Sequence, residues 1–259
     1  MSNAFRRAIV RPPAPNFAHG LTSVDLGAPI FEAAVAQHER YCEALQQCGL
    51  ALTRLPPDPR FPDATFVEDT AILTGGVAIL TRPGAPSREG EVGGIKDALS
   101  SFFSGFARIA APGTVDGGDV CEAGDHVFIG ISRRTNPEGA RQLGHYLAGA
   151  GLTSEVVDIR AAEGILHLKS GIAWLDGRRL VVIDGLAGDP AFRGWELLPV
   201  APEEAYAANL VPVNGSVLVA DGFPRLQQSL RDLGYRPIPL DMSEFQKMDG
   251  GLSCLSLRF

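Results

Sequence analysis

The chain reads Ile-Ala-Trp-Leu-Asp-Gly-Arg-Arg-Leu-Val-Val-Ile from residue 172 to residue 183. Two β-rich runs flank the dipeptide Asp176-Gly177 in this stretch. The central residues of a type I′ turn need positive φ, and Asp-Gly is strongly preferred there for that reason. The stretch therefore predicts a two-stranded β-hairpin.

The same pattern of β-rich run, glycine-containing turn and β-rich run returns along the chain. It occurs at residues 71–80, 119–130 and 211–219, the last with Asn214-Gly215 at its turn. A helical stretch and then a short strand follow most of these hairpins, at residues 91–103 and 108–110, 137–148 and 155–159, and 222–233 and 236–240. Four hairpins are therefore predicted, embedded in a repeating unit.

A fifth unit can be assembled across the two ends of the chain. The strand around Cys254 would lie beside residues 8–10, followed by a helix over 30–48 and a strand over 50–53. A spacing of roughly 40–50 residues is typical of propellers and arrays. Five units that close on themselves would form a ring with a pocket on its axis. An ordinary α+β domain with accidental regularity is the alternative.

Length and composition favour a stable soluble protein. The chain has 259 residues, of which 45% are hydrophobic, so a substantial core fits into a single domain over residues 1–259. No apolar run approaches the roughly 18 residues of a membrane-spanning helix. Residues 1–7 also lack the apolar part of a signal peptide. We therefore expect a cytoplasmic protein without a membrane partner.

Charge and cysteine content narrow the function classes. A net charge of −7 disfavours nucleic acid as a partner, because its phosphates attract a basic surface. The charge suits a cationic substrate, although solubility alone also explains an acidic chain. The four cysteines, Cys42, Cys48, Cys121 and Cys254, show no spacing typical of a disulfide framework or a zinc site.

The C-terminal segment contains a candidate nucleophile. Ser243 and Gln246 have the spacing of a capping box for a short helix, and Gly250 and Gly251 follow it. The alternating residues from Cys254 onward predict a strand, so the thiol would lie at the strand's start after a flexible hinge. This position suits a nucleophile. A buried cysteine that only fills the core is the alternative.

Three carboxylates, Asp63, Glu68 and Asp69, precede the first predicted hairpin. Such a cluster is costly near a core unless a cation or a metal satisfies it. A guanidinium would do so well, because its planar donors form paired, charge-assisted hydrogen bonds with carboxylates. A solvated loop is the alternative.

A second acidic motif, Asp116-Gly117-Gly118-Asp119, combines two glycines with an acid on either side. The glycines allow close backbone approach, and Asp116 could orient a histidine, for which His167 is the candidate. Cys254, His167 and Asp116 would then supply a nucleophile, an acid/base group and an orienting group. A histidine satisfied within the core is the alternative for His167.

Arginines follow the second strands of two predicted hairpins, within residues 82–88 and 132–136. In a pseudosymmetric ring they would lie at similar heights around the axis. There they could clamp a substrate carboxylate, although each arginine alone could equally be a surface charge.

Six collinear motifs resemble those of the dimethylarginine dimethylaminohydrolases, members of the pentein or guanidino-group-modifying superfamily. The motifs are Pro62-Asp63 with Phe66-Val67-Glu68-Asp69, residues 81–88, Asp116-Gly117-Gly118-Asp119, Arg134-Thr135-Asn136, Leu166-His167-Leu168-Lys169-Ser170, and residues 249–254. The resemblance implies an α+β fold of the α/β-propeller type, with five-fold pseudosymmetric ββαβ units around a central active-site pocket. It also implies hydrolysis of asymmetric dimethylarginine or monomethylarginine to citrulline and dimethylamine or methylamine.

The resemblance further implies roles for individual residues. Cys254 would be the nucleophile that forms an S-alkylthiouronium intermediate, His167 the general acid and base, and Asp116 its partner, where many relatives have glutamate. The residues implied in substrate binding are Glu68 and Asp69 for the guanidinium, Arg88 and Arg134 for the α-carboxylate, Asp63 with the Leu21 backbone for the α-amino group, and Met248 and Asp249. No cofactor and no metal is expected.

Other functions are also compatible with these motifs. Arginine deiminase and agmatine deiminase use the same catalytic groups, but the chain has no room for the helical insertion of many arginine deiminases. Agmatine has no carboxylate, so two arginines placed to bind one would have no role with this substrate. A non-catalytic binding protein on the same propeller would leave the catalytic set without a role. We expect a small methylated arginine as the substrate, a monomer or homodimer, and a candidate lid over residues 14–21.

Overall fold

The computed structural model describes residues 4–74 and 76–259. Gly75, in the predicted turn of the hairpin at 71–80, and the first three of residues 1–7 lie outside the described residues. Within the described ranges, none of the helices has both the length and the apolar character that crossing a membrane requires.

The described strands and helices follow one another along the whole chain. The strands are Arg7–Val10 (β1), Ala51–Arg54 (β2), Ala71–Thr74 (β3), Val77–Leu80 (β4), Phe106–Arg108 (β5), Val120–Ala123 (β6), His126–Ile131 (β7), Thr153–Asp158 (β8), Ile172–Asp176 (β9), Arg179–Ile183 (β10), Glu196–Val200 (β11), Val211–Val213 (β12), Ser216–Ala220 (β13), Arg236–Leu240 (β14) and Ser256–Arg258 (β15). The α-helices are Phe31–Gln47 (α1), Glu91–Leu99 (α2), Pro137–Gly149 (α3), Asp184–Ala187 (α4), Pro224–Asp232 (α5) and Ser243–Gln246 (α6).

The chain divides into two compact units. The first unit comprises the described residues up to Val67 together with Asn209–Phe259, and the second unit comprises Glu68–Ala208. The single domain expected over residues 1–259 stays a prediction.

Every sheet of the described chain has three strands and the same pattern of strand pairing. The first unit holds the sheets β15-β1-β2 and β12-β13-β14, and the second unit holds β3-β4-β5, β6-β7-β8 and β11-β10-β9. The middle strand always pairs antiparallel with one neighbour and parallel with the other. Parallel strands need a crossover connection, so four of the described sheets are a hairpin extended by a third strand. In the fifth sheet the antiparallel pair is formed by β15 and β1, from the two ends of the chain. The predicted hairpins and the fifth unit across the chain ends are confirmed.

The turns of two predicted hairpins differ in detail. Asn214 and Gly215 have φ of +47° and +84°, as a type I′ turn requires. In the hairpin at 172–183, by contrast, β9 continues through Asp176, and Gly177 alone of the predicted pair has positive φ. A register shift between Arg179 and Leu180 accounts for the difference, because a bulge adds a residue to one strand and moves the turn.

Each unit has its own apolar packing. In the first unit Phe17, Phe66 and Phe245 form an aromatic cluster with ring centroids 5.5 to 6.3 Å apart. In the second unit, buried aliphatic side chains of two sheets pack with helix α3, and this core contains Ile72, Ile79, Ile109, Val115, Val120, Val127, Ile129, Ile131, Ala140, Leu143 and Leu147. Such burial is the main favourable contribution to folding, and it holds the loops before the strands in place.

Candidate active site

The predicted pair of Asp116 and His167 comes together in the second unit. Asp116 precedes the 3-10 turn Gly117–Asp119, and His167 precedes the 3-10 turn Leu168–Ser170. These turns lead into β6 and β9, so the sheets fix both side chains. His167 Nε2 lies 3.0 Å from Asp116 Oδ2, and both side chains are buried.

Further contacts fix the Asp116 carboxylate. The Gly84 N–H donates to Asp116 Oδ1 at 2.7 Å, and the Asp116 N–H donates to Thr135 Oγ1 at 3.1 Å. Arg134 Nη1 lies 3.9 Å from Asp116 Oδ2, which brings this predicted carboxylate-binding arginine to the same cluster. The orientation of the imidazole is therefore set by a carboxylate that has little freedom itself.

Asp69 supplies a second buried carboxylate beside the imidazole. Its Oδ1 accepts the Gly118 N–H at 2.8 Å, and its Oδ2 accepts a hydrogen bond from Arg88 Nη1 at 2.6 Å. A Cβ on Gly118 would lie 2.8 Å from the His167 ring and 3.0 Å from Asp69 Oδ1. The second glycine of the motif is thus required by the close approach of the backbone to both side chains.

Arg88 lies between two buried carboxylates. Besides its bond to Asp69, its Nε and Nη2 donate to Glu91 at 2.8 to 3.2 Å. Sequence reasoning missed Glu91, although its position three residues after Arg88, at the first residue of α2, is a usable signal. Binding of a substrate carboxylate by Arg88 stays a prediction.

The charges of this cluster support one another. Burial by itself lowers the pKa of His167, but Asp69, the hydrogen bond to Asp116, and Asp119 outweigh burial and raise the pKa to about 9. Burial by itself raises the pKa of Asp69, but the charges of His167 and Arg88 lower it below its usual range. The resting pair near neutral pH is therefore an imidazolium among carboxylates.

Glu68, predicted to bind a guanidinium, forms an ion pair in the structure. Lys169 Nζ donates to Glu68 Oε1 at 2.6 Å, and both side chains are largely shielded from solvent. Lys169 belongs to the motif that contains His167, but sequence reasoning gave it no role. Substitution of Glu68 would therefore also remove the carboxylate that pairs with Lys169.

One group of side chains in the described ranges has the spacing of a metal site. Ligand atoms of Asp69, Asp116 and His167 lie within 4.8 Å of one another. The carboxylate oxygens already accept hydrogen bonds from Arg88 and backbone N–H groups, and the nearby positive charges oppose a divalent cation. We assign no metal to this cluster, and the expected absence of a metal and a cofactor stays a prediction.

In the first unit, Asp63 meets the backbone of Leu21 as predicted. The Leu21 N–H donates to both carboxylate oxygens of Asp63, at 3.0 and 3.2 Å. A Cβ on Gly20 would lie 2.4 Å from Asp63 Oδ1, so the loop approaches the carboxylate closely. Phe17 anchors the preceding part of the loop in the aromatic cluster. Whether residues 14–21 act as a lid stays a prediction.

Met248 and Asp249 border the same loop. Asp249 Oδ2 accepts hydrogen bonds from the Ser23 N–H at 2.5 Å and from Ser23 Oγ at 2.9 Å. The Met248 side chain is buried, and its Cε would lie 3.2 Å from a Cβ on Gly20. The two predicted substrate-binding residues therefore hold residues 20–23 in place in the described structure.

Cys254 lies in a 3-10 turn, Ser253–Leu255, so its predicted place on the last strand is wrong. The buried Asn209 explains the turn, because its Oδ1 accepts the Ser253 N–H at 2.9 Å and its Nδ2 donates to Ser253 Oγ at 3.1 Å. Sequence reasoning missed Asn209. The thiol remains just ahead of β15, and Cys254 is 7% exposed.

The capping box at the start of α6 is also absent. Ser243 is the first helical residue, and its hydroxyl accepts a hydrogen bond from Gln37 at 2.8 Å instead of capping the helix. The Ser243 N–H donates to Asp241 Oδ1 at 3.0 Å. Tertiary contact with α1 thus replaced the local interaction that the sequence suggested.

Comparison with known proteins identifies the family. A relative from Pseudomonas aeruginosa, named N(G),N(G)-dimethylarginine dimethylaminohydrolase, is 46% identical over 256 residues, which cover 98% of this chain and 100% of the relative. The chain belongs to the dimethylarginine dimethylaminohydrolase family. No protein-family profile matches the chain.

Solved structures of relatives confirm the fold class. A cysteine-to-serine variant of the Pseudomonas aeruginosa family member, complexed with citrulline, has a TM-score of 0.96 and 44% identity, covering 99% of this chain and 100% of that chain. The predicted five-fold pseudosymmetric ββαβ propeller of the α+β class is therefore confirmed. The N-terminal domain of a cyanobacterial arginine dihydrolase has a TM-score of 0.87 at 19% identity and covers 99% of this chain and 97% of that chain, a similarity of fold alone.

Cys254 belongs to the first unit, whereas Asp116 and His167 belong to the second. The action of the thiol with the imidazole, and the central active-site pocket, therefore stay predictions.

Proposed function

We propose that the protein hydrolyses Nω,Nω-dimethyl-L-arginine and Nω-monomethyl-L-arginine to L-citrulline and dimethylamine or methylamine. Membership of the dimethylarginine dimethylaminohydrolase family supports this activity. The structural observation that carries the proposal is the buried imidazole of His167, whose Nε2 lies 3.0 Å from Asp116 Oδ2, in a cluster of carboxylates that raises its pKa. A protonated histidine held among carboxylates is suited to deliver a proton to a departing amine.

The proposed reaction has two stages. The Cys254 thiolate attacks the guanidinium carbon, and the C–N bond to the methylated nitrogen breaks while His167 transfers its proton to that nitrogen. A neutral amine leaves, and an S-alkylthiouronium remains on Cys254. His167 then removes a proton from water, and the resulting hydroxide attacks the same carbon. As the C–S bond of this adduct breaks, the Cys254 thiolate leaves, the hydroxyl proton passes to solvent and citrulline is released. Acid and base assistance of this kind contributes about 10²–10⁴ in rate.

We propose that the predicted binding residues share the two ends of the substrate. Glu68 and Asp69 would face the guanidinium. Asp63 with the Leu21 backbone would meet the α-amino group, and Met248 and Asp249, beside the same loop, would also contribute to substrate binding.

Binding of the α-carboxylate requires an arginine whose N–H groups can donate hydrogen bonds to the substrate. The Arg134 side chain is 16% exposed, compared with 5% for Arg88 between its two carboxylates. We therefore propose that Arg134 makes the main contact with the α-carboxylate and that Arg88 assists.

The deciding experiment measures citrulline release from asymmetric dimethylarginine, monomethylarginine, arginine and agmatine side by side. Wild type, Cys254→Ser and the half-buried control Cys48→Ser are compared. We expect release from the methylated substrates by wild type and Cys48→Ser, and none by Cys254→Ser. A preference for arginine would contradict the proposal and indicate a deiminase. No citrulline release from any of the four substrates would support a non-catalytic binding protein.

The oligomeric state and the location of the protein belong to the same proposal. We propose a monomer or homodimer in the cytoplasm, without nucleic acid as a partner, in keeping with the net charge of −7. Light scattering of the purified protein distinguishes the two oligomeric states, and a larger assembly would overturn both.

A further inference from the structure

A third buried acid, Asp119, lies behind the pair of Asp116 and His167. Asp119 has no exposed surface, and its Oδ1 accepts the N–H of Leu168, the residue after His167, at 3.0 Å. Its Oδ2 accepts the Ser132 hydroxyl at 2.6 Å. The carboxylate therefore fixes the backbone from which the imidazole extends.

The same carboxylate reaches the other member of the pair through Ser132 and through a hydrogen bond with the Thr135 side chain. Ser132 Oγ accepts the N–H groups of Arg134 at 2.9 Å and Thr135 at 3.0 Å. Thr135 Oγ1 in turn accepts the Asp116 N–H at 3.1 Å. One hydrogen-bonded network thus joins the backbone beside His167 with the backbone of Asp116.

The space around Asp119 leaves the carboxylate little room to move. A Cβ on Gly130 would lie 2.9 Å from both Asp119 Oδ1 and Leu168 Cβ. The carboxylate is thus wedged between the middle strand β7 and the turn that carries His167. Its negative charge also acts on the imidazole, together with those of Asp69 and Asp116.

We infer that Asp119, acting through Ser132 and Thr135, is a positioning residue that holds Asp116 and His167 in the geometry needed for proton transfer. The kinetic part of this inference rests on the proposed function. Misplacement of a reacting group by about 1 Å can lower the rate of an enzyme by about 10²-fold. Loss of the network is therefore expected to lower kcat and to leave substrate binding nearly unchanged.

The first test is Asp119→Asn, with Asp125→Asn as the matched control. Asp125 is exposed at the turn between β6 and β7, on the same hairpin. Asparagine at 119 still accepts the Leu168 N–H through Oδ1, but it cannot accept the Ser132 hydroxyl with its NH2 group. We expect kcat to fall by about 10²-fold, KM to stay within about twofold, and Asp125→Asn to match wild type. An unchanged kcat in folded Asp119→Asn would overturn the inference.

A second readout follows the imidazole directly and needs no turnover. NMR titration of labelled histidine reports the pKa of the His167 ring, which interactions with Asp69, Asp116 and Asp119 raise. Asp119→Asn should move its titration midpoint to lower pH, because one of the three negative charges is removed. An unmoved midpoint would contradict the inference, even if the wild type released no citrulline and the proposed function failed.

Ser132→Ala keeps the inference testable should Asp119→Asn fail to fold. This variant removes the hydroxyl that joins Asp119 to the backbone N–H groups of residues 134 and 135, and it leaves the Thr135 hydrogen bond and the Asp119 charge in place. We expect kcat about tenfold below wild type, as for the loss of a charge-assisted hydrogen bond. A variant with a lower Tm but wild-type kcat well below that temperature would show a purely structural network and overturn the inference.

Discussion

Asp116 has two carboxylate oxygens with separate partners, and substitution can remove one partnership while keeping the other. Asparagine at this position still accepts the Gly84 N–H through Oδ1, but places an NH2 group towards His167. We predict that Asp116→Asn folds normally and loses about 10²–10⁴ in kcat, since the imidazolium loses its charged partner. Steady-state kinetics checks this result against Asp97→Asn, an exposed site on α2. A decrease in kcat of less than tenfold would contradict the role predicted for Asp116.

His167 makes the stability of the fold depend on pH. Its pKa in the folded protein is raised from 6.5 to about 9, so folding favours the protonated form. The contribution is complete below pH 6.5 and is lost as the pH rises to about 9. We predict that the free energy of unfolding, measured in urea, decreases over this range by about 3 kcal/mol in wild type.

The control for this pH dependence is a pair of histidine variants. His167→Gln should flatten the decrease between pH 6.5 and 9, whereas His145→Gln, at an exposed site on α3, should retain it. Equal slopes in wild type and His167→Gln would show that other groups cause the pH dependence.

At the scale of elements, helix α3 determines where the loop before Asp116 lies. Asn136 caps the helix by accepting the Gly139 N–H at 2.7 Å, and it also accepts the Thr114 N–H at 3.1 Å. A Cβ on Gly139 would lie 2.0 Å from the Thr114 carbonyl oxygen. The helix and the loop therefore touch through a glycine.

This contact gives a paired prediction within one helix. Gly139→Ala should destabilise the protein by about 1–3 kcal/mol, because the new methyl group forces the helix away from residue 114. Gly149→Ala, with no atom within 4 Å of the added Cβ, should be neutral or stabilise by up to about 1 kcal/mol. Urea unfolding measures both, and equal effects would contradict the role assigned to the contact.

The elements themselves were largely predictable, because local patterns determine them. The helix predicted over 137–148 is Pro137–Gly149, and the hairpins follow period-two runs and glycine-containing turns. The turn at Cys254 was not predictable, since it depends on Asn209, which is 45 positions earlier in the chain. The partners of Arg88 could not be predicted for a similar reason, because the burial of this arginine determines which of several carboxylates it contacts.

At the scale of the molecule, the cysteines differ in their surroundings. Cys42 and Cys121 are buried, and burial raises the pKa of each thiol to about 12. We predict that iodoacetamide at pH 7.5 leaves both unmodified in the folded protein and modifies them in urea, because the thiolate is the reactive form. Peptide mass spectrometry measures this, with half-buried Cys48, just after α1, as the faster internal control. Native modification of Cys42 as fast as Cys48 would contradict the prediction.

The resemblance of six collinear motifs predicted the family, and the match of the whole chain confirmed it. The residues that support these motifs were harder to find. Asp119 was visible as a second acid, but its link through Ser132 became evident only when β7 and the turn at residue 168 were seen together. Contacts between distant segments depend on packing, which no local pattern encodes.

Because the first unit is discontinuous in sequence, we expect its strand β1 to become ordered later during folding than the strands of the second unit. The second unit is formed by one stretch of the chain, Glu68–Ala208, whereas β1 pairs with β15, which lies near the other end of the chain. Closing so long a loop in an unstructured chain is slow and entropically unfavourable. In refolding followed by pulsed hydrogen exchange, the amides of β4, β7 and β10 should therefore gain protection first, and those of β1 last.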